Sequence, residues 1–213
     1  MPRPRPPFAP DAWRRDPLFR GHEGALAALS DLDEFPTAAE LDARLGPLVR
    51  SALSHPVRFR AQAQREPLRY EASIVQAGEI PTRDGSAHDL LNALAWATFP
   101  RAKLALHTRF HEAEALRREP GRSRVQDRLA LLDEGGVLTG GGAAFVFGHA
   151  LLEHRIAGLA LARAEEIALP NLEPASRTLA DVQFADVLRA WREPVPPRPP
   201  GVPLLALFPE AGL

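Results

Sequence analysis

The stretch from Ile80 to Lys103 decides the fold. It reads Ile-Pro-Thr-Arg-Asp-Gly-Ser-Ala-His-Asp-Leu-Leu-Asn-Ala-Leu-Ala-Trp-Ala-Thr-Phe-Pro-Arg-Ala-Lys. Ser86 and Asp89 have the spacing of a capping box in its acidic form, so a helix is predicted to begin at Ala87. At about 100° per residue, one side of this helix carries Leu90, Leu91, Leu94 and Ala97, and the other carries His88, Asn92, Trp96 and Phe99. Neither side has the charges of a solvated face, so both are predicted to be buried, the polar one as a pocket wall or a hydrogen-bonded layer.

The length of 213 residues suits one well-buried core. Proline dominates both ends of the chain, where regular structure is disfavoured. We therefore predict a proline-rich flexible arm at residues 1–10, a single domain at residues 11–193 and a proline-rich extended strap at residues 194–213.

The charge balance and the lack of cysteine restrict the function. With 26 basic and 27 acidic residues the net charge is −1, which gives no field for general nucleic-acid binding or for anionic membranes. No run is long enough to span a bilayer, and no secretory h-region is present. With no cysteine, a metal would have only nitrogen and oxygen ligands, and a cytoplasmic location is expected.

The periodicity of the remaining chain predicts a mixed α+β domain. Helices are expected within 11–53, from Pro100 to about Arg118, at 143–154 and at 178–191. Strands are expected at 57–63, 70–78 and 159–169, and a short hairpin is expected from strands at 128–133 and 137–138 with a turn at 134–136. The two strands before the organising helix are predicted to form an antiparallel hairpin. The fold class is therefore one domain with a small antiparallel sheet packed with several helices, in which the His88 and His149 helices face each other across the sheet.

Several motifs together resemble a bacterial family known only as domain of unknown function 3025. They are Ile80-Pro81-Thr82-Arg83, His88 to Leu94 with Trp96, Phe99-Pro100, Lys103, Gln126-Asp127, Asp133-Glu134 and Phe147 to Glu153. The resemblance implies a single domain and brings no activity, cofactor or catalytic residue. Its pattern leads us to expect an aromatic residue where this chain has Ala87, so the pocket here is expected to be wider.

Imidazole and carboxylate groups near the organising helix suggest a metal site. His88 is expected to meet His149 and Glu153, which stand one turn apart on a second helix, and this ligand set suits Zn²⁺, Mn²⁺ or Fe²⁺. We therefore predict a metal-dependent hydrolase acting on a small-molecule substrate.

The remaining roles are assigned by residue chemistry. Asp89 or Asp133 is predicted to activate water, and Arg83 to pair with an anionic substrate. Asn92 and Trp96 are predicted to bind substrate. Asp127 and Glu134 are possible neighbours of the site.

The alternative is a non-catalytic binding module. In that interpretation the polar groups form a buried hydrogen-bond network, in which Asp89 caps its own helix, Asn92 holds a loop and Glu153 orients His149. The sequence leaves the oligomeric state open.

Three further patterns carry less weight. His88-Asp89 resembles the dyad of HD-type phosphohydrolases, with His55 and Asp127 or Asp133 as partners, but those enzymes are all-helical. His107, His111 and Glu114 have metal-ligand spacing, yet they share a face with Lys103 and Arg118 that is predicted to be solvated. Gly140 to Gly142 lacks the residues that complete a P-loop and is predicted to be a flexible connector.

Overall fold

The structure is a computed structural model that describes residues 6–64, 68–116, 121–160, 163–170, 172, 176–191 and 201–211. The helices are α1 Pro10–Trp13, α2 Glu23–Ala27, α3 Ala38–Arg44, α4 Gly46–Ala52, α5 Tyr70–Ala77, α6 Ala87–Thr98, α7 Pro100–Ala115, α8 Arg124–Gly135, α9 His149–Ile156, α10 Arg177–Ala190 and α11 Leu204–Leu207. The strands are β1 Arg58–Ala61, β2 Glu79–Thr82, β3 Gly136–Gly140, β4 Ala143–Val146 and β5 Glu165–Ala168. Single 3-10 turns lie at Pro17–Phe19 and Pro209–Ala211.

The organising helix forms as the sequence predicts. The Ser86 hydroxyl accepts a hydrogen bond from the Asp89 amide, so α6 begins at Ala87. Asp89 does not complete a capping box, because its carboxylate accepts from the Arg83 amide instead. Both faces of α6 are largely buried, and Pro100 starts α7 directly after the kink at Phe99.

The fold class is mixed α+β, as predicted, but the sheets are only partly antiparallel. β1 and β2 pair in parallel, with Phe59 opposite Ile80, and α5 makes the crossover between them. The second sheet has the order β4-β3-β5, in which β3 pairs antiparallel with β4 and parallel with β5. The helices α6 and α9 contact each other directly, so the prediction that a sheet separates them is wrong.

The predicted strand at 70–78 is the helix α5. Ser73 and Ile74 are adjacent and both buried, which a helix allows and the alternation of a strand does not. Gly78 ends the helix in the left-handed region, at φ 66, where its amide bonds the carbonyl of Ile74. A Cβ at Gly78 would also lie 2.3 Å from the Pro56 carbonyl oxygen, so only glycine suits this turn into β2.

The region from 124 to 154 also differs from its prediction. Ser123 and Gln126 form a capping box, and Val125, Leu129 and Leu132 make a buried helical face, so residues 128–133 are helix rather than strand. Residues 143–146, predicted to be helix, form β4, while the glycines 141 and 142 make the turn of the β3–β4 hairpin at positive φ. The glycine run is therefore a hairpin turn and not a flexible connector.

Both ends of the described chain contact the same helix. Arg155 of α9 donates from Nε to Asp16, at 2.6 Å, and from Nη2 to the carbonyl of Ala211, at 2.8 Å. Near the N-terminus, the Phe8 ring contacts Trp13 and Phe35.

The predicted arm and strap are only partly described. Residues 1–5 of the arm and residues 194–200, 212 and 213 of the strap lie outside the described residues. Residues 201–211 contain a bridge between Ala164 and Val202 and the short helix α11, whose Leu204 is buried. The division into arm, domain and strap stays a prediction. Within the described part of the chain, no helix combines the length and the apolar character needed to traverse a bilayer.

Candidate metal centre

The N-terminal ends of α6 and α9 bring two imidazoles together. His88 Nε2 and His149 Nε2 are 3.2 Å apart, and the ring planes meet at 78°. His149 is only 2% exposed, whereas the His88 side chain keeps about a third of its surface open. The two histidines that the sequence predicts to share a site therefore do so, at the boundary between core and solvent.

A close approach of backbones places His149 there. Phe147 and Gly148 both donate their amides to the carbonyl of Gly136, at 2.9 Å each. A Cβ at Gly148 would lie 2.5 Å from the Gly135 amide nitrogen, so a larger residue would push α9 away from the end of α8. Three glycines thus hold His149 beside Glu134.

Glu134 supplies the third ligand atom. Its Oε2 lies 3.7 Å from His149 Nε2, and the ligand atoms of His88, Glu134 and His149 all lie within 4.8 Å of one another. The Glu134 side chain is 52% exposed, so the cluster is open to solvent on this side. Three ligand groups with one open side is the arrangement of a catalytic metal site.

Glu153, predicted to be a ligand, occupies a different position. Its Oε2 lies 2.8 Å from His88 Nδ1, on the opposite side of that ring from His149. An Nδ1–H donated to this carboxylate fixes the ring, and Nε2 is then the nitrogen that faces the cluster. Glu153 therefore lies behind a candidate ligand, in the position that a carboxylate commonly takes behind a metal-binding histidine.

Burial shifts the pKa values of His149 and Glu134 in opposite directions. Burial lowers the pKa of His149 to about 3, so its ring carries no charge at neutral pH. Burial, and then the charge of Asp133, raises the pKa of Glu134. A neutral imidazole is the form that binds metal.

Asp133 belongs to a second cluster, which is built on the buried ammonium of Lys103. Its Oδ1 accepts a 2.5 Å bond from the ammonium of Lys103, which also donates to Asn92 Oδ1 at 2.7 Å. Asn92 in turn donates to the hydroxyl of Tyr70. Burial alone would raise the pKa of Asp133, but the charge of Lys103 holds it well below its usual range. We call Tyr70, Asn92, Lys103 and Asp133 the lysine cluster.

Arg83 and Asp89 pair with each other. The guanidinium donates from Nε to Asp89 Oδ2 and from Nη2 to Oδ1, at 2.9 and 2.7 Å. Burial would raise the pKa of Asp89, but these bonds and the Arg83 amide lower it. Trp96 has no exposed surface and stacks on His107 with ring centroids 5.3 Å apart. The catalytic and substrate-binding roles of these residues stay predictions.

The face of α7 that was predicted to be solvated is partly buried. Lys103 and His107 are 0% and 1% exposed, and His107 Nδ1 lies 2.6 Å from Glu71. His111 contacts Gln76 instead, so the two histidines of α7 have separate partners. Within the described chain, His55 and Asp127 are not part of the three-residue metal cluster.

The sequence does not predict two features of the site. It places Glu134 only among the neighbours of the site, although the two glycines that follow Glu134 are a signal for close backbone approach there. The burial of Lys103 had one signal, since it is the single lysine in a chain of 26 basic residues.

Comparison with known families identifies part of the chain. The family model described as "Protein of unknown function (DUF3025)" matches residues 57–142. The resemblance to DUF3025 is confirmed. The DUF3025 match contains His88 and Glu134 but ends before His149 and Glu153, so the candidate centre extends beyond it. Neither the search of curated proteins nor the search of solved structures found a match to this chain.

Proposed function

We propose that the protein binds a divalent metal through His88, His149 and Glu134 and uses it to hydrolyse a small-molecule substrate. The observation that supports this proposal is the convergence of three ligand atoms, from three different helices, within 4.8 Å. Two imidazoles and one carboxylate form a common ligand set for Zn²⁺, and they also suit Mn²⁺ and Fe²⁺.

The surroundings fit such an ion. Glu153 fixes the ring of His88, and burial keeps the ring of His149 neutral, which is the form that binds metal. Without an ion one Nε2 donates to the other at 3.2 Å, and a bound ion would replace this contact. The exposed side of Glu134 leaves room for water and substrate. When bound, the ion would act as a Lewis acid and activate water for attack on a carbonyl or phosphoryl group.

The neighbouring residues differ in how well they suit the predicted roles. Arg83 has a side chain that is 59% exposed, so it remains our choice for contact with an anionic substrate group. Asp89 gives both oxygens to Arg83 and serves in this proposal to orient it. Asp133 is bound to a buried ammonium and is therefore assigned a structural role.

Metal binding tests the proposal first. The protein is purified without chelator for metal analysis, then stripped and titrated calorimetrically with Zn²⁺, Mn²⁺ and Fe²⁺. We expect one equivalent of metal, and we expect the His149→Ala and Glu134→Gln variants to bind at least roughly 100-fold more weakly. His154→Ala is the matched control, because this exposed histidine lies on the same helix and outside the cluster.

Hydrolysis is tested separately with a panel of chromogenic esters, phosphoesters and amides. We expect turnover that disappears with chelator, returns with one metal, and is lost in His149→Ala while His154→Ala keeps it. Turnover that survives in His149→Ala would refute the proposed centre.

One observation favours a second candidate, the non-catalytic binding module. The direct contact of the two imidazoles at 3.2 Å, with Glu153 behind one of them, also forms a self-contained hydrogen-bond network. A protein that binds none of the three metals and shows no metal-induced rise in melting temperature would support this module.

A further inference from the structure

A cleft lies at the opposite end of α6 from His88. Its volume is about 540 Å³, and Ala97 and Thr98 of α6 contribute to its wall. Since nine residues separate His88 from Ala97, the helix alone sets the cleft about 14 Å from the metal centre. The cleft has the size of a small-molecule site and shares no lining residue with the candidate centre.

Three arginines from separate parts of the chain line this cleft. They are Arg20 after the first 3-10 turn, Arg101 in the first turn of α7 and Arg177 at the start of α10. Arg20 pairs with Glu210 on the surface, and Arg101 contacts Asp181 at 3.3 Å. We call this site the arginine cleft.

Arg177 differs from the other two arginines. Among the described residues it has no carboxylate partner, and Nη1 donates only to the carbonyl of Thr98, at 2.9 Å. A guanidinium has five N–H donors in a planar fork that matches the oxygens of a phosphate or a carboxylate. Most of the donor capacity of Arg177 therefore remains available to a ligand.

The N-terminus of α10 adds a second source of positive potential. The helix has 14 residues and starts at Arg177, and Ser176 at its N-cap makes no side-chain capping bond. Thr178, in the same first turn, lines the cleft. Free amides and the helix dipole at this end favour an anion.

The other walls are suited to an organic group. The apolar part of the lining includes Leu48, which is 39% exposed, and Gly21 packs directly against the buried ring of Phe145. A Cβ at Gly21 would lie 2.9 Å from that ring, and the residue is at φ 90, where glycine is favoured. The cleft thus combines an anion-binding wall with an apolar wall.

Two carboxylates in the cleft are already bound. Asp181 accepts from the Ala102 amide and from Arg101, where it caps α7, and Glu23 accepts from the Gly21 amide. These bonds direct their oxygens at protein donors. The arginines still outnumber the acidic side chains of the lining by three to two.

We propose that the arginine cleft binds a small organic phosphate monoester, with its phosphate at Arg177 and Arg101 and its organic part against Leu48 and the other apolar residues of the lining. A phosphate dianion offers three terminal oxygens to convergent guanidinium groups, one more than a carboxylate does. This site is independent of the metal centre and of the reaction proposed there.

Calorimetry at constant ionic strength with metal-free protein tests the proposal. The probes are phenyl phosphate, inorganic phosphate and benzoate. We expect phenyl phosphate to bind most tightly, because only this probe uses both walls. Equal or tighter binding of benzoate would overturn the choice of phosphate.

Variants locate the binding. Arg177→Gln is expected to weaken the binding of phenyl phosphate by at least about tenfold, because it removes the charged donor that has no carboxylate partner among the described residues. Asp181→Asn keeps a capping oxygen but removes a negative charge, and it is expected to tighten binding roughly two- to fivefold. Arg189→Gln, which removes an exposed arginine of α10 outside the cleft, is expected to bind as the wild type does.

Two outcomes would refute the proposal. Equal affinity for phenyl phosphate in the wild type and in Arg177→Gln would mean that the probe binds elsewhere. A loss of affinity in Arg189→Gln as large as that in Arg177→Gln would mean that any arginine attracts the probe unspecifically. Thermal unfolding without probe checks that each variant folds, and Arg101→Gln replaces Arg177→Gln if the latter does not. His149→Ala should keep full affinity, so failure of the metal centre and failure of the cleft are distinguishable.

Discussion

Two polar clusters meet at the C-terminal end of α8, and adjacent residues supply them. Asp133 turns inward to the lysine cluster, where it accepts from the buried ammonium of Lys103, which also donates to Asn92. Glu134 turns outward, where its oxygen faces the ring nitrogens of His149 and His88. The lysine cluster pairs an ammonium with a carboxylate, whereas the histidine cluster brings two ring nitrogens and a carboxylate oxygen together beside solvent.

This difference separates a structural network from a candidate site. Both clusters contain a carboxylate and basic nitrogens, so residue types alone do not distinguish them. The lysine cluster needs nothing further, while the histidine cluster gains from a cation placed among its ligand atoms. Stability should therefore depend on the first cluster, and metal affinity on the second.

The largest expected effect comes from breaking the lysine cluster. Lys103→Met leaves the Asp133 carboxylate without its ammonium in the core, and we expect a loss of about 4 kcal/mol in the free energy of unfolding. Urea denaturation measures this loss.

The control for this variant removes both partners. Lys103→Met with Asp133→Leu should recover most of the loss, because a buried ion pair can be replaced by apolar side chains at little cost. A single variant as stable as the wild type would show that the ion pair is not needed in the core.

The second-largest effect is expected from buried His22, which makes stability depend on pH. His22 accepts from Thr98 at Nδ1 and donates from Nε2 to the Val146 carbonyl, and burial lowers its pKa from 6.5 to about 4. Below pH 6.5 the unfolded chain takes up a proton that the folded protein resists. The contribution of His22 to stability is therefore complete above pH 6.5 and falls by about 3 kcal/mol as the pH drops to 4.

Unfolding free energies measured between pH 7 and 4.5 test this pH dependence. The His22→Gln variant should lose less unfolding free energy than the wild type between pH 7 and 4.5, because the contribution of His22 is absent. The variant of the exposed histidine, His154→Gln, should lose as much as the wild type. Identical pH profiles for wild type and His22→Gln would contradict the role of His22.

A smaller effect links the backbone to the histidine cluster. Gly148→Ala places a methyl group within 3 Å of the Gly135 and Gly136 amides, so we expect a loss of about 2 kcal/mol and weaker metal binding. Gly24→Ala is the control, because a Cβ at this exposed helical position meets nothing within 4 Å. Denaturation and metal titration of both variants measure the two effects, and unchanged metal affinity in Gly148→Ala would show that this contact does not position His149.

The smallest effect on stability is expected at Glu153. Glu153→Gln keeps a hydrogen-bonding group behind His88 but removes its charge, so metal affinity should fall roughly 10- to 100-fold while the unfolding free energy of the metal-free protein changes by less than about 1 kcal/mol. Calorimetry and denaturation compare it with His154→Gln. A loss in stability with no loss in affinity would place Glu153 in a purely structural network.

The sequence predicted those parts of the fold whose causes are local. The Ser86 cap, the two buried faces of α6 and the proline start of α7 follow from neighbouring residues. The meeting of His88 and His149 was also predicted, because apolar neighbours show that each polar group is partly desolvated and needs a partner.

Other features depended on distant contacts. The sequence of α5 and α8 alternates between apolar and polar residues over a short stretch and so predicts strands, because a few apolar residues fit the period of a strand as well as that of a helix. The capping box at Ser123 is the signal that favours a helix for α8. The choice between Glu134 and Glu153 as ligand depends on how α8 and α9 approach each other, which three glycines decide through backbone contact. The burial of Lys103 similarly required Asp133, 30 residues away, as its partner.

The bonds from Arg155 to Asp16 and Ala211 have a practical consequence for anyone who shortens this chain. A fragment trimmed to residues 57–142 would keep His88 and Glu134 and lose His149 altogether. Even a longer fragment that retains α9 but omits either end would free one side of its last turn. Fragments for metal titration should therefore run from before Asp16 to beyond Ala211.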